Sequence, residues 1–253
     1  MAQRVLVTAG ASGIGRAIAA CFLEAGADVL VCDVDANFLT EALASDARLH
    51  GKLCDVGVPA QVEALFEEVA RLWGGIDVLV NNAGIGGPNA PLEDVAYEDW
   101  DRSMQVNLSG AFHCIKQAAP MMKARGSGCI VNISTPSAVV GLPNRGPYVA
   151  SKAGLLGLTY NVAREYGPFN IRCNAVLPGA VDNPRGRRVL SAVAERAGIP
   201  VEEAEAQLLS HISMRTWVQP SEIGELVVFL ASHAGRHITG QRIAVDGGGP
   251  LPR

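Results

Sequence analysis

The stretch "RVLVTAGASGIG", residues 4–15, joins a β-branched apolar run to a cluster of glycines. Its first part, RVLVT, is typical of a strand that is covered on both faces. The glycines that follow let the backbone turn tightly and let a ligand approach with no Cβ in the way. A helix that begins near Gly13 points its free N–H groups and its positive dipole end at that ligand, which favours a phosphate. The predicted phosphate contacts are Gly10, Ser12, Gly13, Ile14 and Gly15.

Similar apolar runs alternate with amphipathic segments over the rest of the 253-residue chain. Strands are predicted at 4–8, 28–33, 49–56, 77–82, 129–134, 171–178 and 242–248. Helices are predicted from Gly13 to about residue 25, and at about 58–73, 98–124, 148–166 and 220–232. This alternation indicates right-handed βαβ units and one doubly wound parallel sheet of the α/β class. No linker or repeat interrupts the pattern, so we expect a single domain over 1–253.

One segment, 182–218, breaks this rhythm with a charged stretch between two predicted strands. Part of it, "GIPVEEAEAQLL" (198–209), has helical spacing. Long insertions at the carboxyl edge of a parallel sheet often cover a binding site. We therefore predict a helical substrate lid over 182–218.

Composition excludes several classes of function. The formal net charge is -4 and the basic residues are scattered, which disfavours nucleic acid as a partner. The six cysteines form no CxxC pair, which is typical of buried free thiols, and the five histidines lack metal-ligand spacing, so no metal is expected. A strand begins within a few residues of Met1 and no apolar run has the length of a bilayer span. We expect a cytoplasmic protein without a signal peptide or membrane segment.

Asp33 ends the second predicted strand, 18 residues after Gly15. A carboxylate at this point of a dinucleotide-binding sheet accepts hydrogen bonds from the ribose of the adenosine and repels a 2′-phosphate. Its neighbours Cys32, Val34 and Asp35 bring no compensating cation. The pattern predicts NAD rather than NADP as the cofactor.

Tyr148 and Lys152 are four residues apart, so a helix places them on one face. A lysine beside a phenol favours the ionised form of the phenol and prepares it for acid/base chemistry. The pair follows the fifth predicted strand and is therefore a candidate for proton transfer.

Taken in order, these markers resemble the short-chain dehydrogenase/reductase family over essentially the whole chain. They are "TAGASGIG", Asp33, "CDV" (54–56), "NNAG" (81–84), "VNLSG" with Asn107, "NIST", "YVASK", "LPG" (177–179) and "VDGG" (245–248). An ordered set of motifs is far more specific than any single member. The resemblance implies a Rossmann-type sheet of about seven strands in the order 3-2-1-4-5-6-7, with helices on both faces. It also implies a homo-oligomer, a tetramer joined through its long helices.

The resemblance further implies roles for individual residues. Tyr148 is expected to act as general base in oxidation and general acid in reduction. Lys152 is expected to bind the nicotinamide ribose, and Asn107 to hold a water in the proton path. Asp55 is expected to contact the adenine amino group and Val56 to line the adenine pocket. The end of the fourth strand beneath the cofactor is expected to be shaped by Asn82, Ala83 and Gly84, and the nicotinamide carboxamide to be contacted by backbone groups around Pro178, Gly179 and Val181.

Three positions depart from the family pattern. The glycine after the threonine of the phosphate loop is Ala9, and we expect the loop to tolerate the extra methyl. The family serine, thirteen residues before the tyrosine, is Thr135, whereas Ser134 faces the other way if the strand is regular. We therefore predict that Thr135 donates the hydrogen bond to the substrate, with a methyl that narrows the site. The family often has a threonine where this chain has Asn183, whose side chain is also able to make a polar contact to the nicotinamide.

The lid and its surroundings are rich in arginine: Arg185, Arg187, Arg188 and Arg196 lie in the lid, and Arg145 lies just before Tyr148. One or two of them are candidates for binding a carboxylate or another anionic group. The arginines are explained at least as well as solvated surface charges of the lid, which the lid glutamates balance. Arg145 is the first candidate, because it is three residues from Tyr148.

The leading prediction is an NAD-dependent oxidoreductase that interconverts a secondary alcohol and a ketone, with a small hydroxy acid, polyol or sugar as substrate. Two alternatives stay open. One is a 3-oxoacyl reductase for carrier-linked or CoA-linked chains, and Asp33 argues against it if it requires NADPH. The other is a non-catalytic NAD-sensing protein, against which Asn107, Tyr148 and Lys152 argue.

Overall fold

The β-branched runs of the sequence form the strands of one parallel sheet. The structure is a computed structural model that describes residues 2–44 and 46–249. Within these ranges seven strands pair in the order β3-β2-β1-β4-β5-β6-β7, which confirms the predicted doubly wound α/β topology. The strands are β1 (Arg4–Thr8), β2 (Asp28–Asp33), β3 (Leu49–Leu53), β4 (Val78–Asn81), β5 (Gly128–Ile133), β6 (Ile171–Pro178) and β7 (Arg242–Val245).

Helices cover both faces of this sheet. They are α1 (Gly13–Glu24), α2 (Ala36–Leu43), α3 (Pro59–Trp73), α4 (Tyr97–Met104), α5 (Gly110–Arg125), α6 (Ser137–Val140), α7 (Gly146–Tyr166), α8 (Pro184–Ala197), α9 (Val201–Ser210) and α10 (Pro220–Ala231). A π-helical turn, Gln105–Ser109, joins α4 to α5. The predicted helix over 98–124 is therefore two helices with an irregular turn between them.

Strand β1 shows why the apolar runs are continuous. Its side chains alternate between two cores: Val5 and Val7 pack with α1 and α10, whereas Leu6 packs with α3 and α5. All three are fully buried. A strand with a core on each face needs apolar residues at every position, since alternate side chains point to opposite faces.

Two predicted strands end early for local reasons. After β3, a turn closes by a hydrogen bond from the Val58 amide to the Asp55 carbonyl. After β7, Gly247 and Gly248 take φ values of +64° and +76°, outside the extended region. Helix α2 was not predicted; its N-cap is Asp35, whose carboxylate accepts from the backbone of Asn37.

The 182–218 insertion contains helices α8 and α9. The sequence predicted only the second, because the first carries the polar run PRGRR. Asn183, the departure noted above, is the N-cap of α8: its Oδ1 accepts from the Gly186 amide at 2.8 Å. A small core of the insertion's own consists of Leu190, Ala194, Ala204 and Trp217. The insertion is therefore a packed helical layer; its role as a substrate lid remains a prediction.

All six cysteines lie in the described ranges as free thiols; five are buried, and Cys21 is partly exposed. No helix among the described residues is long and apolar enough to cross a membrane.

Candidate active site

The crevice between β1 and β4 is the point where the strand order reverses, which is where parallel sheets of this type bind ligands. Hydrogen bonds join the two strand ends. The Thr8 hydroxyl accepts from the amides of Asn82 and Ala83, each at 3.0 Å. The Asn82 side chain donates to the carbonyls of Thr8 and Ala9, also at 3.0 Å. The NNAG turn thus holds the glycine loop through Thr8, which was not predicted; the role of Asn82 and Ala83 beneath the cofactor remains a prediction.

Each glycine of the loop occupies its position for a different structural reason. A Cβ on Gly15 would overlap the Ala9 carbonyl oxygen, and one on Gly10 would lie 2.5 Å from the Val31 Cγ1. Gly13 has a φ of +53° and open space where a Cβ would be. Ser12, the N-cap of α1, makes no side-chain capping bond, and the first turn has no acidic residue. The amides at this helix start are therefore available to an anion, and the cradle fits the diphosphate of a dinucleotide.

Ala9 adopts a φ of +48°, in the left-handed region that glycine favours. The tolerance of the loop for this extra methyl remains a prediction. The conformation costs an alanine about 1–2 kcal/mol.

Asp33 fixes a negative charge beside this loop. One carboxylate oxygen accepts from the Ala11 amide at 3.2 Å, and the other from the amides of Val34 (2.8 Å) and Asp35 (3.2 Å). The residue is buried, so these bonds hold the carboxylate at the end of β2. A fixed charge at this point matches the position predicted for binding the adenosine ribose.

Asp55 has a partner that the sequence did not reveal. Its carboxylate forms an ion pair with Arg102 at 2.6 Å and accepts from the Gly57 amide at 2.9 Å. Val56, the next residue, is buried. The predicted contacts of Asp55 and Val56 with adenine remain predictions.

Asn107 lies in the π-helical turn and is buried. Its Nδ2 donates to the Ile85 carbonyl and to the Ser151 hydroxyl, each at 3.0 Å, and its Oδ1 accepts from the Ile85 amide at 2.7 Å. Ser151 in turn donates to the Tyr148 carbonyl at 2.8 Å. Ser151 therefore couples Asn107 to the tyrosine turn of α7. Its place within YVASK was the only sequence signal for it.

Lys152 is buried on α7, one turn after Tyr148, and its Nζ donates to the Ile133 carbonyl at 2.7 Å. A Cβ on Gly84 would lie 3.1 Å from this Nζ and 3.3 Å from the Asn107 Oδ1. The missing side chain at Gly84 lets the amine and the amide come together. Burial, and to a lesser extent repulsion from Arg185, lowers the pKa of Lys152 to about 7.

The two hydroxyls that directly follow β5, those of Ser134 and Thr135, differ in their partners. Ser134 is buried and donates to the Lys152 carbonyl at 3.1 Å, so its proton is committed to α7. The Thr135 Oγ1 accepts from the Ser137 amide at 3.3 Å and donates to none of the described residues. Strand β5 ends at Ile133, so the alternation of side chains along a strand does not apply to Ser134 and Thr135. The hydrogen bond from Ser134 to α7 is what gives the two hydroxyls different surroundings. Thr135 remains the predicted donor to the substrate.

The end of β6 lies against the end of β7. The Gly179 amide donates to the Val245 carbonyl at 2.9 Å, and a Cβ on Gly179 would lie 2.7 Å from the Asp246 Cα. Pro178 ends β6, and Val181 pairs with Val218 across the base of the insertion. The predicted nicotinamide contacts of Pro178, Gly179 and Val181 remain predictions.

Arg145 immediately precedes α7, with its Cζ 5.6 Å from the centroid of the Tyr148 ring. It thus lies beside the candidate acid/base, as its place in the sequence indicated. No group of metal-ligating side chains occurs in the part of the chain that the structure describes.

Known proteins match this chain over nearly its whole length. A family model described as Enoyl-(Acyl carrier protein) reductase matches residues 8–249. A 3-oxoacyl-[acyl-carrier-protein] reductase FabG of Thermotoga maritima is 36% identical, over 96% of this chain and 96% of that protein. A cis-4-hydroxycyclohexanecarboxylate dehydrogenase of Sinomonas cyclohexanicum is 38% identical, over 98% of this chain and 96% of that protein.

Solved structures share the fold. A variant of actinorhodin polyketide ketoreductase with NADPH superposes with a TM-score of 0.94 and 34% identity, covering 98% of this chain and 97% of its own. NAD+-bound xylitol dehydrogenase gives a TM-score of 0.92 and 30% identity, covering 97% and 98%. With the crevice, the Tyr–Lys helix and these matches together, the chain belongs to the short-chain dehydrogenase/reductase family and is an oxidoreductase of that type.

Proposed function

We propose that this protein is an NAD-dependent dehydrogenase that interconverts a secondary alcohol and a ketone, with a small hydroxy acid, polyol or sugar as substrate. The observation that carries the proposal is the convergence of the buried Lys152 amine and the Asn107 amide at Gly84, one helical turn from Tyr148. Gly84 follows β4 and the Lys152 Nζ donates to Ile133, the last residue of β5, so this group lies at the carboxyl ends of these two strands.

The glycine loop, Asp33 and the β6 end are the residues that would hold the cofactor. When bound, a nicotinamide dinucleotide supplies the hydride acceptor in oxidation and the hydride donor in reduction. In oxidation the carbinol C–H bond breaks with its electron pair leaving as hydride, while Tyr148 removes the hydroxyl proton and the C=O bond forms. Thr135 donates a hydrogen bond to the same oxygen, which stabilises the charge that develops on it.

Lys152 and Asn107 support the proton transfer. Burial lowers the pKa of Lys152 to about 7, so its amine, one helical turn from Tyr148, is able to hold or release a proton at neutral pH. Asn107 is held by Ile85 and Ser151, which fixes the backbone around the tyrosine. Positioning of this kind accounts for much of the rate enhancement of an enzyme.

The preference for NAD rests on Asp33. Its carboxylate is fixed by three backbone amides at the end of β2, and a 2′-phosphate next to it would meet a like charge with no counterion in the adjoining residues. The solved relatives differ in this respect, since one contains NAD+ and another NADPH.

Relatives named as 3-oxoacyl-[acyl-carrier-protein] reductases favour a second candidate, reduction of a carrier-linked ketone. Nucleotide preference and substrate size separate the two functions. The relative named for a hydroxycyclohexanecarboxylate favours the first, because such a substrate carries a secondary hydroxyl on a small acid.

A panel of secondary alcohols with NAD and with NADP, followed by reduced nicotinamide, tests the proposal. We expect turnover of a small alcohol with NAD, and none in Tyr148→Phe even though that variant still binds NAD. Turnover of acyl-carrier ketones with NADPH, without activity toward small alcohols, would replace the first function by the second.

We also propose that the protein is a homo-oligomer, a tetramer as the family resemblance implies. Phe112 on α5 and Tyr160 on α7 are large apolar side chains with 49% and 39% of their surface exposed. Exposed aromatic residues on two long helices are typical of an interface. Light scattering on the purified protein measures the mass directly.

A further inference from the structure

Two of the four arginines singled out in the 182–218 insertion, Arg187 and Arg196, have side-chain partners among the described residues. Arg187 forms ion pairs with Asp182 (2.7 Å) and Glu205 (2.6 Å), and it lies over the Trp217 ring at 4.5 Å. Arg196 donates to the Asn89 side-chain oxygen at 2.9 Å, with that amide oriented to satisfy both partners. These two arginines hold the insertion together and are not available to a ligand.

Arg145 and Arg185 lie beside the active site, and neither forms an ion pair with any described residue. The Nε of Arg145 is buried without a hydrogen-bond partner, and burial lowers the pKa of this guanidinium, against the attraction of Tyr148. Leaving a charged group partly buried and unpaired is costly, so a partner from outside the protein is expected at the Nη groups of Arg145, which are not enclosed as its Nε is.

The two guanidinium groups point at one place. A Cβ on Gly86 would lie 2.5 Å from the Nη2 of Arg145 and 3.4 Å from the Nη2 of Arg185. Arg185 is anchored there by a hydrogen bond to the Gly84 carbonyl at 3.1 Å. Repulsion from Arg185 also lowers the pKa of both Arg145 and Lys152. Two guanidinium groups and the Lys152 amine therefore lie around Gly84 and Gly86, and none of the three forms an ion pair with a described residue.

We infer that Arg145, assisted by Arg185, binds the carboxylate of the substrate above Gly86, so that the substrate is a small hydroxy acid rather than a polyol or sugar. The inference rests on the proposed function for the reacting hydroxyl. Arg145 lies at the N-terminus of α7, whose dipole adds to the positive potential. The guanidinium lies 5.6 Å from the ring centroid of Tyr148. A carboxylate bound by Arg145 and a carbinol at Tyr148 are therefore close enough to be parts of one small molecule. A planar guanidinium suits a carboxylate because the two groups pair through parallel hydrogen bonds.

The experiment separates binding of the anion from turnover. Benzoate and benzamide have nearly the same shape, and neither has an alcohol to oxidise. Calorimetry with the NADH-loaded protein should show benzoate binding about 10- to 100-fold more tightly than benzamide. Arg145→Gln should remove this difference and leave the affinity for NADH unchanged, and Arg145→Lys should restore part of it.

Arg164→Gln is the matched control, because Arg164 is an exposed arginine near the far end of the same helix. It should bind benzoate as the wild type does. In the alcohol panel, the wild type should have a lower KM for hydroxy acids than for their methyl esters. Arg145→Gln should show no such difference in KM.

Equal affinity for benzoate and benzamide, or an unchanged preference in Arg145→Gln, would overturn the inference. Neutral alcohols oxidised through Tyr148 would then still support the proposed function. Conversely, loss of benzoate binding in Arg145→Gln together with full turnover in Tyr148→Phe would retain the anion site and refute the proposed chemistry.

Discussion

Replacing Gly13 by alanine tests whether the start of α1 binds the cofactor. Gly13 has a φ of +53°, and no atom lies within 4 Å of its Cβ position. The substitution therefore causes backbone strain without a clash inside the protein. An alanine in the left-handed region costs about 1–2 kcal/mol, which lowers the Tm of a domain of this size by about 2–8 °C.

The effect on binding is expected to be larger. The new methyl projects into the space that the diphosphate is proposed to fill. Loss of one charge-assisted hydrogen bond, about 1.5–3 kcal/mol, weakens NAD binding by about 10- to 100-fold. Calorimetric titration of NAD into the folded variant measures this change.

Gly126→Ala is the matched control. Gly126 has a φ of +68°, also with nothing within 4 Å, and it ends α5 at the opposite edge of the sheet. Its alanine variant should lose a similar amount of stability and bind NAD like the wild type. If Gly13→Ala kept wild-type affinity, or if both variants lost affinity equally, the assignment of the phosphate site would be wrong.

Two further predictions concern the catalytic residues. The pKa of Lys152 falls from an ordinary 10.5 to about 7 on folding. Between these two pH values the unfolded chain therefore binds more protons than the folded protein. The free energy of unfolding rises with pH in this range, by up to about 1.4 kcal/mol per pH unit. Urea unfolding from pH 7 to 10 should show a shallower rise in Lys152→Met, and identical slopes would refute the buried-amine assignment. Thr135→Ala should lower kcat/KM by an amount equal to about 2–4 kcal/mol of transition-state stabilisation, whereas Thr135→Ser should retain activity. A greater loss of activity in Ser134→Ala would show that Ser134, and not Thr135, donates the hydrogen bond to the substrate.

The parts of the site that follow from local sequence were predictable. Strand β1, the glycine loop and α1 lie in one continuous stretch, whose apolar run and glycine cluster are visible in the local sequence, although the close approach of Val31 to Gly10 is not. The same holds for Tyr148 and Lys152, because one helical turn fixes their relation.

The parts that depend on tertiary contacts were not predictable. The π-helical turn is held by bonds between Asn107 and Ile85, 22 residues away, which no local pattern records. The role of Asn183 as a helix cap depends on where α8 begins. Arg145 and Arg185 come together because the insertion folds against the loop after β4, where a Cβ on Gly86 would lie 2.5 Å from the Arg145 side chain.

The most direct test of the central claim follows a single hydrogen. The alcohol most active in the panel is prepared with deuterium on its carbinol carbon and mixed with NAD and the wild-type protein, and the reduced nicotinamide is examined by NMR. The account predicts deuterium at the reduced ring carbon with wild type and no reduced nicotinamide with Tyr148→Phe, although that variant binds NAD normally. Reduced nicotinamide without deuterium, or full deuterium transfer in Tyr148→Phe, would contradict it.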